Sequence, residues 1–245
     1  MKVSRKAKEK TRLKLLKSAV DVIIEKGFKN ASMREIAKKA GVSDPTIYNY
    51  FPTKENILYE YLKQKHKETI EVLQNIDDFD SFSLREQLQT MLESELDLYL
   101  QDREFIIEIF DLAFYSSSVK IDSLYNTKEL FILMVEDMFN NAIEAGEIEA
   151  QPFGDYLPIL FWDYFIAVVA YWIKDDSDEF ENTTEFIDHS MGILEALILS
   201  NVLSKVADLG QFMFKTHIIN NLANFSSKKS KMKNIKKKFM EIIDE

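Results

Sequence analysis

The 245-residue chain has no cysteine, which excludes structural disulfides and cysteine-bound zinc or iron–sulfur centres and permits a reducing compartment. Six glycines and four prolines are few. With leucine, isoleucine, glutamate and lysine plentiful, that scarcity favours helix throughout. The three histidines are His66, His189 and His217. None belongs to a Glu-x-x-His pair, so a di-metal carboxylate bundle has no support. Glu185 and His189 stand one turn apart, with Asp188 adjoining; a surface ion pair is a plainer reading than a metal site. A Gly-rich phosphate loop, Gly-x-Ser-x-Gly and His-Glu-x-x-His are all missing, so no catalytic residue, metal or cofactor is expected. No uncharged run approaches the ~18 apolar residues of a membrane span. The longest candidate, 156–173, is interrupted by Asp163 and reads as a buried helix. The basic N-terminus lacks the apolar core of a secretory signal. The expectation is a soluble, cytoplasmic protein without a membrane partner.

The net charge of −10 hides a strong asymmetry. Residues 1–67 carry 17 Lys and Arg against 7 Asp and Glu, residues 68–225 carry 7 against 31, and residues 226–245 carry 7 against 3. A basic head of net +10 thus precedes a body of net −24 and a tail of net +4. Such a head can neutralise phosphates while the body is repelled by them, which would orient the molecule on a duplex.

The head contains SMREIAKKAGVSDPTIYNYF, residues 32–51. Ser32 with Glu35 three residues later has the spacing of a capping box. Ile36, Ala37 and Ala40 form a small apolar face, and Gly41 supplies the backbone position that stops a helix. Val42 follows as an apolar plug. Ser43 is placed to cap the next helix, and Pro45 lies in its first turn, where a missing N–H is harmless. Ile47, Tyr50 and Phe51 are spaced to face inward, leaving Asp44, Thr46, Tyr48 and Asn49 outward. Two short helices joined by a Gly-containing turn make a helix-turn-helix. Upstream, Leu13, Leu16, Val20, Ile23 and Ile24 predict a helix that Gly27 ends, giving three helices at roughly 9–26, 33–39 and 44–50. The crowd of Lys2, Arg5, Lys6, Lys8, Lys10, Arg12, Lys14 and Lys17 is either a solvated terminus or a phosphate-binding arm.

Several ordered pieces resemble the DNA-binding domain of TetR-type transcriptional regulators. They are Ile36-Ala37-x-x-Ala40-Gly41-Val42-Ser43, then Thr46-Ile47-Tyr48-x-Tyr50-Phe51, then Lys54-Glu55-x-x-Leu58, with Ala19 and Gly27-Phe28 upstream. The resemblance covers about the first quarter of the chain. It implies that the helix over 44–50 enters a major groove. Thr46, Tyr48, Asn49 and Tyr50 would then meet base methyls, base edges and phosphates, with Asp44 and Pro45 in the helix's first turn. Tyr48 and Tyr50 are also candidates for a structural role. Asp44 either accepts from a cytosine amino group or strengthens the helix N-terminus. The resemblance also places Ser32 and Arg34 near the backbone or flanking bases and sets Lys54 on a phosphate. Lys54 otherwise stands at a helix N-terminus, a poor place for a cation.

The periodicity of the remainder predicts helices at roughly 54–75, 83–100, 103–115, 121–145, 158–174, 183–202 and 203–225, with caps at Thr53, Ser83, Asp102 and Asn182. The expected fold is therefore all-α: a helix-turn-helix domain at 1–53, a larger helical ligand-binding and dimerisation bundle at 54–227, and a basic amphipathic tail at 228–245. The bundle is rich in large apolar side chains. A packed core explains any one of them, but the family resemblance implies an effector pocket, for which Phe105, Phe110, Phe114, Met134, Met138, Trp162 and Phe165 are the candidates. Tyr171-Trp172-x-x-Asp175-x-Ser177-x-x-Phe180-x-x-Thr183 is similar to a segment of TetR-fold proteins that bind lipids in ubiquinone synthesis, a hint toward a lipid-like ligand. The resemblance also implies a homodimer on palindromic double-stranded DNA, joined through the last two helices. Ile193, Leu194, Leu197, Ile198, Val202, Phe212 and Phe214 could lie there or in the intrachain core. The tail stripe Met232, Ile235, Phe239, Ile242 and Ile243 faces lysines and suits either an anionic surface or the acidic body. The resulting expectation is a ligand-responsive DNA-binding regulator, a repressor released by a small apolar effector. The alternative is a lipid carrier of the same fold that does not read DNA.

Overall fold

The structure is a computed structural model that describes residues 4–115, 121–151, 153–200 and 202–213. Those residues are helical and include no strand. The helices are α1 (Arg5–Lys26), α2 (Met33–Lys39), α3 (Asp44–Tyr48), α4 (Lys54–Gln74), α5 (Leu84–Leu100), α6 (Arg103–Tyr115), α7 (Ile121–Glu144), α8 (Leu157–Lys174), α9 (Glu181–Leu199) and α10 (Val202–Met213). The tail expected at 228–245 and Phe214 lie outside the described residues. The chain divides into two compact units, Met1–Glu149 with Phe153–Ile193, and Ala150–Pro152 with Leu194–Glu245.

Within the first unit, the head is a three-helix cluster. Helix α1 packs on α2 and α2 on α3, and Leu15, Ala19 and Ile23 of α1, Ile36 and Ala37 of α2 and Ile47 of α3 are all nearly sealed from solvent. Small side chains at Ala37 and Ala40 let the helices approach closely. Gly41 adopts φ +64°, and Val42 N donates to the Ala37 carbonyl at 3.0 Å, closing α2 as a left-handed stop. The Ser32–Glu35 capping box forms in both directions. Glu35 also pairs with Lys26 at 2.5 Å. Lys26 first, then Ser32, holds its carboxyl down at about 2. Ser32→Ala is expected to lower head stability by about 1 kcal/mol in a urea melt, the usual loss for an N-cap.

Helix α1 packs on both α4 and α6, so head and body share one unit. Helix α4 lies against α5 and α7, and α7 against α8. Phe131, Phe165 and Trp172 are sealed in this core. Helix α8 with its leading turn, Gly154–Lys174, is long and apolar enough to cross a membrane by composition. Phe161, Trp162, Phe165, Val168, Val169 and Trp172 are nevertheless buried on the protein's own core, as expected for a central helix.

Three expected caps differ. Ser43 is the N-cap of α3, but its hydroxyl pairs with that of Thr46 at 2.7 Å and does not cap a backbone N–H. Asp102 turns its carboxylate to the Tyr61 hydroxyl, which donates at 2.8 Å. Asn182 lies inside α9, which starts at Glu181; the donors there are taken by Ser177, which accepts from Asn182 N, and by Asp175, which accepts from Thr183 N. For Asp102 and Asn182 a longer-range partner outcompetes the local cap, and for Ser43 a neighbouring hydroxyl does.

Candidate functional site

Helix α3 presents one side of a short cylinder outward. Ile47 and Phe51 anchor it at zero exposure, and Tyr50 is half-buried beside Phe51. Asp44, Pro45 and Asn49 are exposed, Thr46 is partly so, and Tyr48 stands 53% exposed. A phenol so exposed next to a free amide on a helix that is otherwise pinned by its core is a surface suited to base edges and methyls. Arg34, 84% exposed on α2, lies 3.2 Å from Asp44. That contact gives Asp44 a partner in the protein and links the two helices at the outward face. Asp44→Asn is expected to free Arg34 and remove a repelled charge, tightening binding to all duplexes several-fold. An altered preference at a single base pair in a selection experiment would instead mark Asp44 as a cytosine reader.

Lys54, expected on a phosphate, has its ammonium engaged within the protein. Its ammonium donates to the Phe28 carbonyl and, at 2.7 Å, to the Ala31 carbonyl, and sits 4.4 Å above the Phe28 ring. Burial depresses its pKa. The cation at the N-terminus of α4 is stabilised by backbone carbonyls of the α1–α2 turn, so Lys54 braces the head onto α4. Glu108 of α6 completes the brace by accepting from Phe28 N at 2.8 Å. Arg12 is likewise engaged, 2.7 Å from Glu9 and 3.1 Å from Glu60 of α4. Arg5, Lys6, Lys8 and Lys10 remain exposed along the first turns of α1, which begins four residues earlier than the apolar pattern indicated.

The body holds a polar cluster that the sequence reading missed. His66 of α4 and Glu95 of α5 have no solvent exposure, and His66 Nδ1 lies 2.8 Å from Glu95 Oε1, close but not aligned as a good hydrogen bond. Nε2 of His66 meets no hydrogen-bond partner among the described residues. Phe131, Trp162 and Phe165 surround the imidazole with centroids 5.9, 5.8 and 6.4 Å away. Burial alone would raise the Glu95 carboxyl. The adjacent His66 imidazole and the Thr69 hydroxyl, which donates to the other carboxylate oxygen, outweigh it and lower the pKa. One and two turns nearer the head, Lys65 and Tyr61 share Asp102, the ammonium at 3.6 Å. Polar groups therefore run down the buried face of the helix that joins head to body. The readable signal was their spacing: Tyr61, Lys65, Thr69 and Leu73 recur every fourth residue, and Glu95 falls on the apolar stripe of α5.

The residues expected at an effector pocket lie at several places among the described residues. Trp162 and Phe165 belong to the aromatic shell of His66. Phe105 is sealed against Tyr61 at 4.8 Å. Phe110 and Phe114 stack on one another at 4.4 Å along α6, with Phe114 half exposed. Met134 and Met138 line a separate groove of about 720 Å³ between the end of α4, the turn at Phe79–Ser81, the start of α5 and α7. The segment that hinted at a lipid ligand forms the α8–α9 joint. Asp175 accepts from Ser177 and Thr183, Phe180 packs on Trp172, and Arg103 donates to the last α8 carbonyls, at 2.7 Å for Ile173. Among the described residues no group of acidic or histidine side chains is placed to hold a metal ion.

Residues 15–61 match the family profile described as bacterial regulatory proteins, tetR family, and residues 87–213 match the tetracyclin repressor-like C-terminal domain. The fatty acid metabolism regulator protein of Bacillus subtilis is 28% identical over 145 residues, covering 59% of this chain and 74% of that protein. The HTH-type transcriptional regulator LuxR of Vibrio harveyi is 26% identical over 181 residues, covering 73% and 88%. The crystal structure of the transcriptional regulator FadR from Bacillus subtilis in complex with stearoyl-CoA shares the fold, with a TM-score of 0.57 and 21% identity over 78% of this chain and 98% of that one. With the outward α3 on a basic three-helix head and a helical body behind it, the chain belongs to the TetR family and is a ligand-responsive DNA-binding transcriptional regulator.

Proposed function

We propose that this regulator binds a palindromic operator as a homodimer in the cytoplasm, represses by occluding a promoter, and is released by an apolar, lipid-like effector. The observation that carries the reading is the exposed Thr46, Tyr48 and Asn49 face of α3 on the +10 head, with the acidic body behind it. One such helix spans only a few base pairs, so specificity calls for two copies related by a two-fold axis.

Unpartnered apolar side chains support self-association in both units. In the first, Leu160 of α8 and Ile193 of α9 are exposed. In the second, Leu197 and Leu199 are exposed, and Val202, Val206, Leu209 and Phe212 form an exposed stripe along α10 at helical spacing. Ile198 is buried, so it leaves the expected interface set. The lipid-like effector is suggested by the relatives' named ligands and roles and by the aromatic and methionine-rich body.

Coupling would run through α4. A ligand that pushes α4 away from α5 or α7 strains the Lys54 and Glu108 contacts on the Phe28 turn, and so moves the head. In vitro selection from a random duplex library with the full chain is expected to enrich two inverted half-sites about one helical turn apart. Enrichment of a single undivided site, or none, would defeat the dimeric reading.

A further inference from the structure

The groove at the far end of α4 has an uneven chemistry. Its floor is apolar: Ile70, Leu73, Phe79, Met134 and Met138 line it, and Ile70, Phe79 and Met134 are only half-buried. Asp78, Asp80 and Asp137 stand at its edge, all exposed, and no lysine or arginine is among the described lining residues. None of the three carboxylates makes an ion pair among the described residues. The backbone adds to the sign. The groove receives the C-terminal end of α4, a 21-residue helix whose last carbonyls carry the negative end of its dipole. The facing N-terminus of α5 would attract an anion, but carboxylates already occupy it: Ser83 N donates to Glu86 and Leu84 N to Glu147, each at 2.8 Å.

We infer that this groove takes the effector and selects it by charge, accepting a cationic amphiphile, an apolar chain with an amine or quaternary ammonium head, and rejecting carboxylate and acyl-CoA counterparts. The inference rests on the reading of the body as an effector domain. A volume of about 720 Å³ accommodates a lipid-sized chain, and half-buried methionine and phenylalanine side chains adapt to one. The head group then lies among three carboxylates and a helix C-terminus. A carboxylate or phosphate in the same place would meet the repulsion of all four, within a body of net charge −24. The occupied groove also wedges between α4 and α7, one turn beyond the His66–Phe131 contact, which places the ligand on the helix that braces the head.

The test is calorimetric titration of the full-length protein with dodecylamine, laurate and lauroyl-CoA below their aggregation concentrations, at low and high salt. Dodecylamine is expected to bind at least about tenfold more tightly than laurate, and the gap is expected to shrink as salt screens the rim. The Asp78→Asn/Asp80→Asn/Asp137→Asn variant changes only exposed side chains. It is expected to lose about tenfold in amine affinity and none in laurate affinity, whereas Met134→Trp weakens both by filling the floor. Equal or tighter binding of laurate or lauroyl-CoA, an unchanged triple variant, or no amine binding overturns the inference. A protein that leaves operator DNA with laurate or lauroyl-CoA alone refutes charge selection and keeps the regulator reading. One that takes the amine in an aspartate-dependent way but binds no duplex refutes the regulator reading instead.

Discussion

His66→Leu is expected to destabilise the protein by about 3–5 kcal/mol at neutral pH, because it leaves the buried Glu95 carboxylate without its imidazole partner. Glu95 has zero exposure, and the Thr69 hydroxyl that donates to it is neutral. One hydroxyl donor offsets only part of the desolvation of a full charge. The loss should be pH-dependent with a defined sign. In the native protein the Glu95 carboxyl is held below its ordinary range, so its contribution is complete above the unfolded-chain value of about 4.3 and fades as pH falls below it through the folded value. Without His66, burial raises that carboxyl, so the variant recovers part of the difference on acidification, when the acid can be buried neutral. His66→Leu/Glu95→Gln should restore most of the stability, since the amide oxygen still accepts from Thr69 and no charge is buried. Urea melts of the four proteins in a double-mutant cycle at neutral and mildly acid pH measure the coupling directly. Additive losses would show that the pair is not a coupled unit.

The other large effect concerns DNA. Tyr48→Ala/Asn49→Ala should leave the fold intact, because both side chains are exposed and the anchors Ile47 and Phe51 are untouched. Its affinity for the selected operator should fall by about 100-fold or more, at roughly 1–3 kcal/mol for each lost base contact. Binding to unrelated duplex should barely change, since the exposed lysines of α1 and Arg34 supply the salt-dependent share. Arg34→Ala should do the reverse, weakening operator and unrelated duplex alike and reducing the slope of log affinity against log salt by about one. Competition titrations across a salt series separate the two patterns.

The head was legible because each of its signals is local. The capping box at Ser32, the stop at Gly41, the proline in the first turn of α3 and the inward pair Ile47 and Phe51 all lie within twenty residues and point to one geometry. The helices of the body were legible by the same periodicity, and their ends came within a few residues, except that the end expected at 225 lies outside the described residues. Long-range chemistry was not legible. Lys54 reads as a stray cation at a helix start until Phe28 and Ala31 fold back over it. His66 and Glu95 read as ordinary polar residues until α4 and α5 pack with those two positions facing. Asn182 has the spacing of a cap but loses that role to Asp175 and Ser177, which close the turn before it. The ligand candidates could not be told from core residues in the sequence, because hydrophobicity marks burial, and burial alone does not distinguish a core from a pocket.

Hydrogen–deuterium exchange of the full-length protein with and without a selected duplex tests most directly whether α3 is the DNA-facing element. Protection is expected in peptides covering Ser32 to Asn49 and in the first turns of α1, with little change across the acidic surfaces of α5, α7 and α9. Unaltered exchange over Asp44–Asn49, or protection centred on the acidic body, would contradict it.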